Sequence, residues 1–209
     1  MGTALKNIKE QAIIALFDIK SVLEELDIKF VLLQGTLLGA IRDKDFAPGD
    51  EDIDIASKIY NLAPKMKELI PLLRARGFGL KLFDNPYKFY VHAKIKKGGI
   101  RTDFLSFDFN GDKAFRLGGR YIDKAKVYDR KLIENLKEID FLGKKFKVFA
   151  DAERWLEIEY GPNWKKREHR SGKFTTAWVK DYWKSYVLKA QGVNYGKKIE
   201  HILKHKEYV

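Results

Sequence analysis

Three aspartates carry the chemistry this chain offers. Asp52 and Asp54 stand two apart in the run Asp50-Glu51-Asp52-Ile53-Asp54-Ile55. On a strand, residues two apart point to the same face and the one between points to the other. The pair would then share a face, with Ile53 and Ile55 turned to the core. Carboxylates that close repel one another unless a cation sits between them, and hard oxygen donors suit Mg²⁺ or Mn²⁺. A solvated acidic loop is the plain alternative for such a run; the alternating isoleucines favour the strand. Asp103 lies within the apolar run Ile100-Arg101-Thr102-Asp103-Phe104-Leu105. An acid there is costly to bury unless paired or bound to metal, and it is expected to be the third ligand. A turn position or an edge pairing with Arg101 is the alternative. Asp108 is expected beyond the end of that strand.

Upstream of the acids, an apolar run ends in Gly35-Thr36 and leads into a short helix. Glycine permits close backbone approach, and the amides that follow, with the Thr36 hydroxyl, can bind phosphate oxygens. Arg42 and Lys44 lie between this turn and the acidic strand, where cations can offset phosphate charge. A plain surface role is the alternative for both, more so for Lys44. His201 and His205 have a zinc-compatible spacing but no evident third ligand. His92, on an expected strand, could meet a phosphate or satisfy a backbone group. A P-loop is missing from the sequence, which excludes a P-loop NTPase, and the missing Gly-x-Ser-x-Gly speaks against a hydrolase elbow.

These residues need elements to hold them. Leu5, Ile8, Ala12, Leu16, Ile19, Leu23 and Leu26 recur at helical spacing and predict a helix over 4–26. Residues 30–33 read as a buried strand, 37–41 as a short helix, 53–56 as a second strand and 62–73 as a helix. Strands are expected at 79–83, 89–95 and 100–107, the last two joined by a hairpin at Lys97-Gly98-Gly99. A second hairpin should join 138–141 to 145–149, followed by a helix capped by Asp151. Beyond it, Trp178, Tyr182, Trp183 and Tyr186 interleave with Lys180, Lys184 and Lys189, a face that could stack bases or sugars. A core-facing helical stripe of Trp178, Tyr182 and Tyr186 is the plain alternative, and 195–205 is expected as a last helix. The fold expected is α+β, a mixed β-sheet flanked by helices. A catalytic core should occupy 1–160, and a basic, mostly helical extension over 161–209 should pack on the same domain.

The chain of 209 residues is 45% hydrophobic and 13% aromatic, which excludes disorder. It has no cysteine, hence no disulfide scaffold, thiolate site or Cys nucleophile. No apolar run is long enough to span a bilayer, and the N-terminus does not read as a signal peptide; a cytoplasmic protein is expected. Net charge is +12, and residues 161–209 hold 12 Lys+Arg against 4 Asp+Glu. Such a tail suits a polyanionic partner or, equally, a solvated face.

Taken together, strand, Gly-Thr, helix, Asp-x-Asp and a third acid on a later strand resemble the nucleotidyltransferase fold. More closely, GTLLGAIRDKDFAPGDEDIDI resembles the signature of the LicD/fukutin family of phosphotransferases. In that family a Gly-Thr-Leu-Leu-Gly-Ala-Ile/Val-Arg run precedes Pro-Trp-Asp-Asp-Asp-Ile-Asp. Trp155-Leu156 with Tyr160-Gly161 and Trp164 resembles its Tyr-Gly-x-x-Trp segment. Gly49 stands where the family has Trp, and Glu51 replaces an Asp. The resemblance implies Mg²⁺-dependent transfer of a phospho-alcohol, such as a phosphocholine or ribitol-phosphate group. The donor would be a CDP-alcohol, the acceptor a glycan hydroxyl, and CMP would leave. Asp52, Asp54 and Asp103 would hold the metal, Gly35 and Thr36 the phosphate, and Arg42 would offset developing charge. Two readings compete: a minimal nucleotidyltransferase moving an NMP from an NTP to RNA, protein or a small molecule, and a non-catalytic nucleic-acid-binding module.

Overall fold

A computed structural model describes residues 2–81, 92–117, 124–167 and 187–189. Helix α1 (Gly2–Glu25) buries Ala12, Leu16, Ile19 and Leu23 along one stripe. It ends at Asp27, in the left-handed region at φ 49°, where the Ile28 N–H returns to the Leu23 carbonyl at 2.7 Å, a Schellman-type closure. Strand β1 (Phe30–Leu32) follows and leads into helix α2 (Gln34–Leu38), which continues as a π-helical turn over Gly39–Asp43. Strand β2 (Asp52–Lys58) carries the paired aspartates. Helices α3 (Ile59–Leu62) and α4 (Met66–Ala75) then lead to strands β3 (Gly79–Lys81), β4 (His92–Lys97) and β5 (Ile100–Asn110).

Next come β6 (Lys113–Leu117), β7 (Lys124–Asp129), α5 (Arg130–Glu134), β8 (Leu136–Phe141), β9 (Lys144–Phe149), α6 (Ala152–Tyr160) and β10 (Val187–Lys189). The main sheet runs β1-β2-β5-β6-β7-β10. β5 is its spine. On one side it pairs with β2 in parallel; on the other it pairs with β4 through its first half and β6 through its second. The remaining ladders among the described residues are antiparallel, so the sheet is mixed. Gly98 and Gly99, at φ 56° and 86°, close the expected β4–β5 hairpin in the backbone region that glycine favours. The separate β8–β9 hairpin supplies Phe141, Phe146 and Phe149 to the core, where Phe149 meets Trp155 at 5.5 Å between ring centres. Asp151 caps α6 by accepting the Arg154 N–H at 3.1 Å.

The structure differs from the sequence reading in three places. β6, β7 and α5 were not anticipated, because Arg116 and Lys126 stand at buried positions and break the apolar alternation that marks a strand. Asp108 lies inside β5, not beyond it; it is buried and accepts the Phe109 N–H at 2.9 Å. Val187–Lys189 forms a strand paired with β7 where a helical extension was expected. The aromatic stripe at 178–186, the expected helix over 195–205 and three of the four histidines lie outside the described residues.

Candidate active site

The loop after α2 folds back over the helix that precedes it, and two glycines make this possible. A Cβ on Gly39 would lie 2.4 Å from both the Ala47 N and the Asp45 carbonyl O. A Cβ on Gly35 would lie 2.1 Å from Asp50 Oδ2. The first glycine admits the loop backbone; the second admits the Asp50 carboxylate. Thr36 is fully buried, and its Oγ1 accepts the Asp54 N–H at 2.9 Å. The Gly35 N–H donates to the Asp54 carboxyl. In this structure both residues read as phosphate ligands therefore hold Asp54: one its side chain, the other its backbone.

The parallel register sets Asp54 opposite Asp103 and Asp52 opposite Arg101. By the pleat, all four project from one sheet face. Arg101 bonds Asp52 and approaches Asp103 at 3.6 Å from Nε to Oδ1. Asp54 is the most buried of these acids, and its pKa is pushed up from 3.8 to about 7. Burial is the main cause, followed by the charges of Asp50 and Asp103; the Gly35 N–H and the distant Arg116 cation oppose it. Asp50 thus joins the acidic group, although the sequence reading did not single it out. Its signal was its place in the acid run.

Among the described residues, no three acidic or histidine side chains stand ready-made as a metal cage. Asp54 and Asp103 are in register, while Asp52 is engaged by Arg101. The donor set nonetheless fits a hard divalent cation. It offers clustered carboxylate oxygens, a buried acid whose ionisation is suppressed first by burial and then by its acidic neighbours, and an arginine already drawn onto the cluster.

The raised Asp54 pKa has a signed consequence. Between about pH 4 and pH 7 the folded protein holds a proton there that the unfolded chain releases, so metal-free stability falls as pH rises through this window. The full effect is about 4 kcal/mol. Asp54→Asn lacks it. Melting temperatures measured in chelator should therefore show the variant gaining on wild type as pH rises from 4 to 8, and Mg²⁺ should then stabilise wild type only. A wild-type–variant difference that stays constant with pH would contradict the coupling.

Arg42 and Lys44 stand elsewhere. Arg42 bonds Asp43 through Nε and Nη2 at 2.9 and 2.8 Å, and its Nη1 donates to the Trp164 carbonyl at 3.3 Å. Arg167 bonds the other oxygen of Asp43 at 2.7 Å. Burial opposes ionisation of Asp43, but the bonds from Arg42 and Arg167 hold its carboxyl below the usual range. The arginine that closes the first family-like run therefore clasps the tryptophan of the second. Lys44 is exposed in the left-handed region at φ 55°. Of the basic residues that begin the tail, Arg167 is on Asp43 and Lys165 is 2.6 Å from Glu153. Gly49, at φ 77°, has open space where a Cβ would point.

A second polar group, missed from sequence, shares the acidic face. Arg116 stands opposite Phe107, and Lys126 opposite Arg116. Glu159 of α6 accepts from Arg116 at 3.2 Å, Lys126 at 2.7 Å and the Tyr128 hydroxyl at 2.6 Å. Burial and then the Arg116 charge push the Lys126 pKa down to about 7. Glu159 is held below the ordinary carboxylate range despite its burial, by Arg116 and Lys126. This cluster ties α6 to the sheet and holds a fixed cation on the sheet face that carries the acids.

A mixed sheet flanked by helices, with a carboxylate cluster above a glycine-backed turn, has the nucleotidyltransferase-like fold. The model of the LicD/FKTN/FKRP nucleotidyltransferase domain matches residues 27–151, more than half of the chain, and the protein belongs to that family. Among curated proteins, none matches it. Among solved structures it is similar to a crystal structure of ANT(2″)-Ia in complex with adenylyl-2″-tobramycin, at 12% identity and TM-score 0.45, over 90% of this chain and 92% of that one. It is also similar to a solution structure of the antibiotic-resistance factor ANT(2″)-Ia, at 12% identity and TM-score 0.46, over 91% and 88%. Among the described residues no helix is long and apolar enough to cross a membrane.

Proposed function

We propose that this protein transfers a phospho-alcohol group from a CDP-activated donor to a glycan hydroxyl, releasing CMP, with Mg²⁺ or Mn²⁺ as cofactor. The observation that carries this reading is the parallel register of Asp54 with Asp103, beside Asp52, within a chain of this family. Asp52, Asp54 and Asp103 would hold the metal, with Asp50 adding negative charge beside them. Bound there, the metal would neutralise charge on the phosphate oxygens as a Lewis acid.

The chain's own residues do the rest. Thr36 and the Gly35 N–H fix Asp54 from behind, so its carboxylate is oriented before any ligand arrives. Asp103, on the neighbouring strand, takes the proton of the attacking hydroxyl. The acceptor oxygen bonds to the phosphorus that carries the alcohol, and the bond from that phosphorus to the CMP oxygen breaks. Arg116, held by Glu159, supplies a fixed positive charge on the same face. Gly49 stands where the family carries tryptophan, so an aromatic wall is missing there and the donor or acceptor would differ from the family's usual ones.

The experiment is a donor screen. With Mg²⁺, a set of CDP-alcohols, the four NTPs and glycan or RNA acceptors, CMP should form from a CDP-alcohol together with a new phosphodiester. Pyrophosphate from an NTP, with no CMP from any CDP-alcohol, would assign NMP transfer instead.

A further inference from the structure

Arg101 bonds the acidic cluster and opposes its charge, on the face where Lys94 of β4 also stands opposite Asp103. It follows Ile100 at the start of β5, two residues before Asp103 and in register with Asp52. Its side chain is 55% exposed, whereas those of Asp52 and Asp103 are 18% and 15% exposed. The guanidinium therefore lies at the solvent mouth and the acids beneath it. It bonds Asp52 and reaches toward Asp103, bridging two of the three expected ligands. A divalent cation must compete with it for Asp52. Once displaced, a half-exposed guanidinium at the mouth has a fork shaped for phosphate oxygens.

We infer that Arg101 is a resident counter-ion of the acidic cluster that yields Asp52 on metal binding and then grips a phosphate of the nucleotide-activated donor. This rests on the metal reading of Asp52, Asp54 and Asp103, and it adds an order of events: metal before donor. It also gives the cluster a reason to stay folded when metal-free, because Arg101 offsets part of the repulsion.

The test is calorimetry on the full chain, wild type against Arg101→Gln and Arg101→Lys, with Mg²⁺ as titrant and then with cytidine 5′-diphosphate at saturating Mg²⁺. Arg101→Gln should bind Mg²⁺ about fivefold more tightly, the scale of one exposed ion pair removed from the competition, and CDP more weakly by a similar factor. Arg101→Lys keeps the competing charge without the fork, so its Mg²⁺ affinity should stay near wild type while CDP binding weakens. Melting curves report whether each variant is folded. Unchanged or weaker Mg²⁺ binding in Arg101→Gln would overturn the counter-ion role. Unchanged CDP binding would overturn the phosphate role. Mg²⁺ binding by none of the three proteins would instead remove the metal reading on which the inference rests.

Discussion

Asp54→Asn should lower turnover by about 10³-fold or more, the scale of losing several kcal/mol of charge stabilisation, while leaving the metal-free protein at least as stable as wild type above pH 7. Most catalytic substitutions are read against the risk of misfolding. Here the two effects have opposite signs, because the carboxylate is buried beside Asp50 and Asp103 and is costly to ionise without a cation. Asparagine keeps the shape and can still accept the Gly35 N–H through its amide oxygen. Steady-state kinetics with thermal melts on one preparation check both halves. Near-wild-type turnover in the folded variant would remove Asp54 from the site.

The second large effect separates the two glycines of the turn. Gly39→Ala places a methyl 2.4 Å from backbone atoms of Asp45 and Ala47, and backbone cannot rotate away as a side chain can. It should destabilise by about 3 kcal/mol, a melting shift of about 10 °C for a chain of this size. Gly35→Ala meets the end of Asp50, which can swing aside. It should cost only about 1 kcal/mol of stability but lower turnover about 10²-fold, by displacing Asp50 and the peptide that orients Asp54. Melts and kinetics on the two variants should show this exchange of roles. A Gly39→Ala protein as stable as wild type would mean that the loop does not cross the helix as described.

Much of this arrangement was legible in the chain. The period of α1, the isoleucines flanking Asp54, the glycine pair between β4 and β5 and the Asp151 cap are local signals, each complete within a few residues. The acids of β2 and β5 were placed on strands for the same reason. What was not legible depends on where distant segments meet. Asp50 reads as one more loop acid until the loop is seen lying on Gly35. Thr36 has the look of a phosphate ligand, yet its hydroxyl turns inward to Asp54. Arg42 looked free to serve a ligand, but its partners, Asp43 and the Trp164 carbonyl, include one 122 residues away. Arg116 and Lys126 hid two strands, because charged residues on a buried face are satisfied only through Glu159 of a later helix.

The proposed function requires one sheet face to hold a divalent-metal site made by Asp52, Asp54 and Asp103. Mn²⁺ binding followed by electron paramagnetic resonance tests it directly, since free and bound ion are counted separately and no substrate is needed. Wild type should bind Mn²⁺, Mg²⁺ should displace it, and Asp52→Asn, Asp54→Asn and Asp103→Asn should each lose most of that binding while remaining folded. Folded Asp-to-Asn variants that bind Mn²⁺ as wild type does would rule out this metal site.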